Sequence, residues 1–445
     1  ALVSDTMWFG FLAAVGATGF AIYFSSRLTG RFSLTSQFLY LMGLFLGGRF
    51  LLAVLSPSYP VEECFLFSRT ILSDPQLYEM VLTYSVATMG VVMGIALSRP
   101  VPQLSTIARP RPLPAVRKVV AFLLIPVTLL MAYNASQFLA AIASGGYLAL
   151  FANPENYLNT GIAPHIVSRV GLILTSLYFF SAPRKIEIKF LVLIFVFGLL
   201  GSATGQRAPL FLAVLLILWA AINYNQANIK MGKLVIVALI LVVVGQGMIT
   251  IRAGYTYSLL EMPREFLHLN GISLCTLGYL VAYPEIAGPG SPNFLFAPVV
   301  DYFGRVFGDT RELFYAERSL DLLDASGYLS YHLTYAVSPA SYLNGYGTGT
   351  SFIAEFYAST GAFFIFFPSL ILGAFLVFLD RNVMRSRFLL LMLPMVLYQV
   401  VYSPRDAIFK SIDNFVPLFF VYFLTMLLYQ IFARRNSVSA AAVAR

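Results

Sequence analysis

Long apolar runs recur along the chain at about residues 8–25, 36–55, 77–97, 117–136, 165–182, 187–203, 208–225, 233–251, 360–379, 388–403 and 415–432. Each approaches the twenty or so mostly apolar residues that a helix needs to cross a bilayer. Backbone at that depth has no water to bond, so it must satisfy its own polar groups, which selects helix. The pattern predicts an all-α protein, a polytopic integral membrane helical bundle of about eleven transmembrane helices. Between 252 and 359 the pattern changes, and apolar stretches such as 273–283 are too short to span. A structureless connection of about a hundred residues is unusual, so interfacial or re-entrant short helices lining a cavity are expected there. Three parts follow: 1–251, an N-terminal bundle of about eight spans; 252–359, a large extracytoplasmic loop; and 360–445, C-terminal spans with a cytoplasmic tail.

Composition agrees, with 59% hydrophobic and only 11% charged residues against a soluble average of about 25% charged. The net charge of +9 does not point to nucleic acid, because the cations sit at span ends rather than on one basic face. Eighteen of the 29 Lys and Arg residues fall in six short segments, around Arg27, Arg109, Lys185, Lys230, Arg385 and Arg434. Charge at a bilayer centre is unfavourable by roughly 2.5–3.5 kcal/mol, and cytoplasmic loops collect cations, so all six read as inside. Of the 20 acids only Glu187 and Asp380 fall at those segments. An odd number of spans with an inside C-terminus puts the N-terminus outside. The first run follows Asp5 without a cationic leader and reads as a permanent span rather than a signal peptide. Glycine pairs Gly16/Gly19 and Gly90/Gly94 read as points of close helix approach. Cys64 and Cys275 both fall outside, where they read either as a disulfide or as two unpaired small apolar residues. His165, His268 and His332 are scattered, no ligand spacing is present, and neither metal nor cofactor is expected.

The other cations break the inside rule and are the candidates for chemistry. Arg207 follows a Gly/Ser-rich stretch, Arg252 ends the eighth span, and Arg405 and Lys410 lie in and after Ser403-Pro-Arg-Asp. A guanidinium stays charged and binds phosphate oxygens with a planar fork. Arg49 and Arg169 fall within the outer halves of spans, where they read either as functional or as snorkelling or ion-paired residues. Arg311 and Arg318 alternate with acids such as Glu317 and Asp321 and suggest an ion-paired surface helix. Arg69 reads as a solvated loop residue. The stretch 344–361 is glycine-rich and delivers Thr350 or Ser351 as a helix N-cap, with Glu355 one turn in. A helix start with free N–H groups is an anion site. Glu355 reads either as a structural carboxylate or as a base, and His332, in the aromatic stretch 328–335, as interfacial or as a proton acceptor.

That stretch resembles the N-G-x-G-T-S-F-hydrophobic-x-E pattern of Wzy-type O-antigen and capsule repeat-unit polymerases, here with an extra Gly-Thr before the Ser. The similarity extends over nearly the whole chain, in span number, in the outward Arg207 and in the long loop before the last spans. It implies a metal-independent membrane glycosyltransferase of the bacterial inner membrane, with its site facing the periplasm. The growing glycan would pass from undecaprenyl diphosphate to a sugar hydroxyl of an incoming lipid-linked repeat unit. Arg207, Arg252 and Arg405, with Arg169 and Lys410, would bind the diphosphate. Glu355 would be the base, with Asp406 or His332 in reserve. Tyr255, Tyr257, Tyr342 and Tyr346 would stack on sugar rings. Membrane lipids and a polysaccharide chain-length regulator are the further partners so implied. An O-antigen ligase or another lipid-linked glycosyltransferase is the nearest rival. A lipid-linked glycan transporter would need internal repeats with broken helices, and no matching halves are visible. A scaffold would not need outward arginines beside helix ends.

Overall fold

The computed structural model describes residues 5–64, 69–98, 109–145, 164–204, 207–253, 258, 261–288, 291–308, 318–410, 412 and 414–427. Among these residues the fold is almost wholly helical; the only sheet is a two-residue hairpin of β1 (Glu63–Cys64) and β2 (Thr70–Ile71). The first eight apolar runs form α1 (Asp5–Leu28), the pair α2 (Leu34–Phe45) and α3 (Gly48–Leu55), α4 (Asp74–Leu97), α5 (Pro114–Gly145), α6 (Pro164–Phe180), α7 (Ile188–Gly201), α8 (Ala208–Trp219) and α9 (Met231–Ala253). The long connection carries α10 (Met262–Gly271), α11 (Leu274–Ala282), α12 (Ala297–Phe307) and α13 (Leu329–Val337), with shorter turns between them. Then follow α14 (Phe352–Phe364), α15 (Phe366–Asn382), α16 (Arg387–Val396) and α17 (Asn414–Leu427).

Among the described residues helix covers the apolar runs, the last as far as residue 427, but length and composition alone do not confirm eleven crossings. Among the described residues α1, α4 and α5 are long and apolar enough alone, and α2 with α3, bent by 53°, makes a fourth as a pair. The 14 residues of α7 extend only about 21 Å, short of a hydrocarbon core of about 30 Å. A 3₁₀ turn at Ser202–Thr204 ends α7, while α8 and α16 each continue through a π-helical turn, at Ala220–Tyr224 and Leu397–Val401.

Small residues decide which helices touch. A methyl group placed on Gly94 of α4 would lie 2.0 Å from the Leu370 carbonyl oxygen, and one on Gly373 of α15 would lie 2.2 Å from that of Val91. Backbone meets backbone along this seam, and any side chain would separate the helices. Gly16 and Gly19 have open space around them instead. The expected close approach there is absent because α1 is peripheral, with 28% of its apolar window buried.

The basic segments around Arg109, Lys185 and Arg387 meet at one end of the bundle. There Arg387 donates to the carbonyls of Phe180 and Arg111, Arg109 to that of Tyr224 at 2.9 Å, and Asn225 pairs with both main-chain groups of Ile186. Asp380, at the end of α15, accepts the N–H groups of Leu34 (2.7 Å) and Thr35 (3.0 Å), so a carboxylate from a distant helix closes the start of α2. The long connection, the hairpin and residues 403–410 gather at the other end.

Candidate functional site

The glycine-rich stretch shapes that second end. Gly345 (φ +83°) and Gly349 (φ +73°) take left-handed conformations that side chains rarely adopt, and the turn they make carries Ser351 to the start of α14. Ser351 caps that helix as expected, its hydroxyl accepting from the Ala354 N–H at 3.3 Å. It also lies 3.2 Å from the Thr276 hydroxyl of α11. The helix start is not an open anion site. Its Phe352 N–H donates to the Ser403 carbonyl at 2.9 Å, so a segment fifty residues further along the chain occupies the position expected for a ligand.

Glu355 completes this attachment. One carboxylate oxygen accepts the Ile408 N–H at 3.0 Å, so α14 holds residues 403–408 at both ends. The side chain is buried, at 1% exposure. Burial pushes its carboxyl well above the usual carboxylate range, and Asp406 adds to the effect while the Ile408 N–H and Lys410 oppose it. The structural reading of Glu355 is therefore the one its surroundings favour, in place of a base touching substrate.

The held turn presents its charges outward. Arg405 donates from Nη1 to the Ser273 hydroxyl at 3.0 Å, next to α11, and Gly349 lies beneath the same guanidinium nitrogen. Asp406 accepts from Lys410 Nζ at 2.8 Å, with 22% of the Asp406 side chain and 55% of the Lys410 side chain exposed. Arg207, half-buried at the start of α8, lays its aliphatic stem toward Gly245 of α9. Arg207 and Arg405 both act electrostatically on the Tyr402 hydroxyl, and Tyr398 and Tyr402 both act on Lys410. Arg207 and Arg405 thus share Tyr402 as a neighbour, and Lys410 shares it with Tyr398.

Beside them lies a cavity of about 350 Å³ between α5, α6, α7, α8 and α16, with Arg169, Asn134, Tyr398 and Asn414 as polar lining and Phe197 and Leu212 among its apolar walls. Tyr398 borders both the cavity and the cation group.

Other expected residues fall elsewhere. His332 is held by the Ser326 carbonyl (2.8 Å) and the ring of Phe294, in a network with Asp301, and is apart from the cations. Tyr342 is fully buried, packed edge-on by Tyr331 and Tyr335, with its hydroxyl donating to the Ser319 carbonyl. It offers no free face for a sugar ring. Arg318 lies over the rings of Tyr331 (3.9 Å) and Tyr342 (5.2 Å) rather than in an acidic surface helix. Tyr346 is half-buried beside the glycine turn. Arg69 pairs with Glu63 at the surface. Arg49 is buried, bonding the Pro60 and Glu63 carbonyls and the Cys275 sulfur. Tyr255, Tyr257, Arg311 and the side chain of Arg252 lie outside the described residues. Ser273 and Thr276 escaped sequence reasoning. Their spacing of three on a short apolar helix, which puts both on one face, was the available signal.

A comparison with curated proteins and another with solved structures each returned no match. A family model described as O-antigen polysaccharide polymerase Wzy matches residues 2–436. With that match across essentially the whole length, the chain belongs to the Wzy family of O-antigen polysaccharide polymerases.

Proposed function

We propose that the protein polymerises undecaprenyl-diphosphate-linked oligosaccharide repeat units into O-antigen or a related surface polysaccharide, in the bacterial inner membrane with its site facing the periplasm. The observation that carries this reading is that Arg207, Arg405 and Lys410 share Tyr402 as a neighbour, at the end of the bundle opposite the basic loops, with Tyr398 joining Lys410 to the Arg169 cavity. A lipid diphosphate needs clustered cations next to an apolar slot, and both are present. Arg405 and Arg207 grip the diphosphate of the lipid that carries the growing chain. Arg169 faces the diphosphate from the cavity, whose apolar walls receive the first isoprene units.

In the reaction a hydroxyl oxygen of the incoming unit bonds to the anomeric carbon of the growing chain, and the bond from that carbon to the diphosphate oxygen breaks. The electron pair leaves with the diphosphate, whose developing charge the guanidiniums offset. The hydroxyl proton passes to the Asp406 carboxylate, the exposed acid of the group, with Lys410 orienting it. Glu355 acts behind the turn by fixing the path of residues 403–408. Tyr346 borders the place for the acceptor sugar.

The test uses the full-length protein in lipid nanodiscs with lipid-linked repeat units as the only glycan. A ladder of longer products is the expected outcome, lost with Arg405→Ala and Asp406→Asn. Elongation that appears only when a lipid A–core acceptor is added would assign a ligase instead.

A further inference from the structure

Two cysteines, 211 positions apart, meet at the same end as the cation group. Both are buried in the structure, and each belongs to an element that matters to the site. Cys64 ends the first strand of the hairpin, and Cys275 lies in the first turn of α11. A methyl group on Gly278, one turn after Cys275, would lie 3.0 Å from the Cys64 sulfur. The Cys64 thiol is hydrogen-bonded to that of Cys275, which together with burial holds Cys64 well above its usual range. Arg49 spans the same junction, donating to the Cys275 sulfur at 2.7 Å and to the carbonyls of Pro60 and Glu63 on the hairpin side.

We infer that Cys64 and Cys275 are a disulfide site that staples the hairpin to α11. The inference rests on the orientation proposed above, which puts both segments in an oxidising compartment. The oxidant is a protein disulfide of the thiol-oxidoreductase class, acting while the chain folds and before the pair is enclosed. The two thiols give up two protons and two electrons, the Cys64–Cys275 sulfur bond forms, and the oxidant's own disulfide becomes a dithiol. The staple bears on the reaction through α11, because Ser273 two residues before Cys275 holds Arg405 and Thr276 one residue after it meets Ser351. Fixing α11 to the hairpin fixes the platform under the guanidinium.

The experiment counts thiols in the full-length chain. Membranes from cells grown with air are quenched in acid, denatured and treated with a polyethylene-glycol maleimide before and after reduction. The wild type is expected to take no label before reduction and two labels after it, while Cys64→Ser and Cys275→Ser each take one label in both conditions. Two labels on the wild type before reduction overturn the inference. In parallel, a chain with both cysteines replaced and Ser58→Cys added is exposed in whole cells to a maleimide that cannot cross membranes. Label at Ser58→Cys together with reduced native thiols rejects the staple alone. No label at Ser58→Cys together with two labels on the unreduced wild type rejects the orientation, and the staple with it. In the elongation assay, Cys275→Ser is expected to give shorter products at raised temperature, and wild type treated with reductant to match it.

Discussion

At Arg405 the guanidinium's role is set by what holds it. Its Nη1 is turned toward Ser273, so the remaining donors keep a defined direction, and lysine cannot reproduce that fork. Arg405→Ala is expected to lower the elongation rate by about 10²- to 10³-fold, the usual loss for one preorganised donor to a developing anion, and Arg405→Lys to recover only part of it, as read by initial rates on a lipid-linked donor. Glu355 makes the opposite case. Because its folded carboxyl is raised, the neutral form is the one the fold favours. Stability from this group is complete below the ordinary carboxylate range and declines as pH rises through the raised value. Glu355→Gln stays neutral and still offers an oxygen to the Ile408 N–H, so its thermal midpoint is expected to gain on wild type with rising pH while elongation persists. Glu355→Ala leaves that N–H unmatched and is expected to lose about 1–3 kcal/mol. Loss of elongation in Glu355→Gln at unchanged stability would return the base role to Glu355. The cap at Ser351 and the place of Glu355 one turn in were legible because both depend on neighbours within a few positions. The burial of Glu355 was not, because it depends on residues 403–408 arriving from elsewhere in the chain.

Between elements, similar local signals had different outcomes. Gly90 and Gly94 are four residues apart and Gly16 and Gly19 three, yet only the first pair lies at a crossing. Spacing marks where an approach is permitted, and the partner helix decides whether it occurs. Gly94→Ala is expected to cost about 1–3 kcal/mol by forcing α4 and α15 apart, with Gly16→Ala close to neutral, a contrast that thermal unfolding in detergent reads directly. Gly349→Ala is expected to cost roughly 1–2 kcal/mol through its left-handed backbone and, by disturbing the surface under Arg405, to slow elongation more than it lowers stability. The helices themselves were legible from apolar runs, since backbone in lipid has few alternatives. Their regularity was not, because the π-helical turns that follow α8 and α16 are largely apolar and read as plain continuations of the runs.

For the molecule as a whole, the charge pattern grouped the basic segments by sequence, and the structure joins those around Arg109, Lys185 and Arg387 with hydrogen bonds to main-chain oxygens. The proposed orientation predicts that a phosphatase reporter, active only outside the cytoplasm, is silent when inserted at Gln226 and active at Gly288. The reverse result would invert the molecule and remove the periplasmic site. The network around Asp301, Ser326 and His332 was invisible in the sequence, since its members become neighbours only when the long connection folds on itself. The fastening of the basic end has an electrostatic consequence. A guanidinium bonded to a neutral carbonyl keeps its whole positive charge, whereas a carboxylate partner would cancel it, so Arg109 and Arg387 tie the helices together there and still leave that end positive toward any anionic surface it meets.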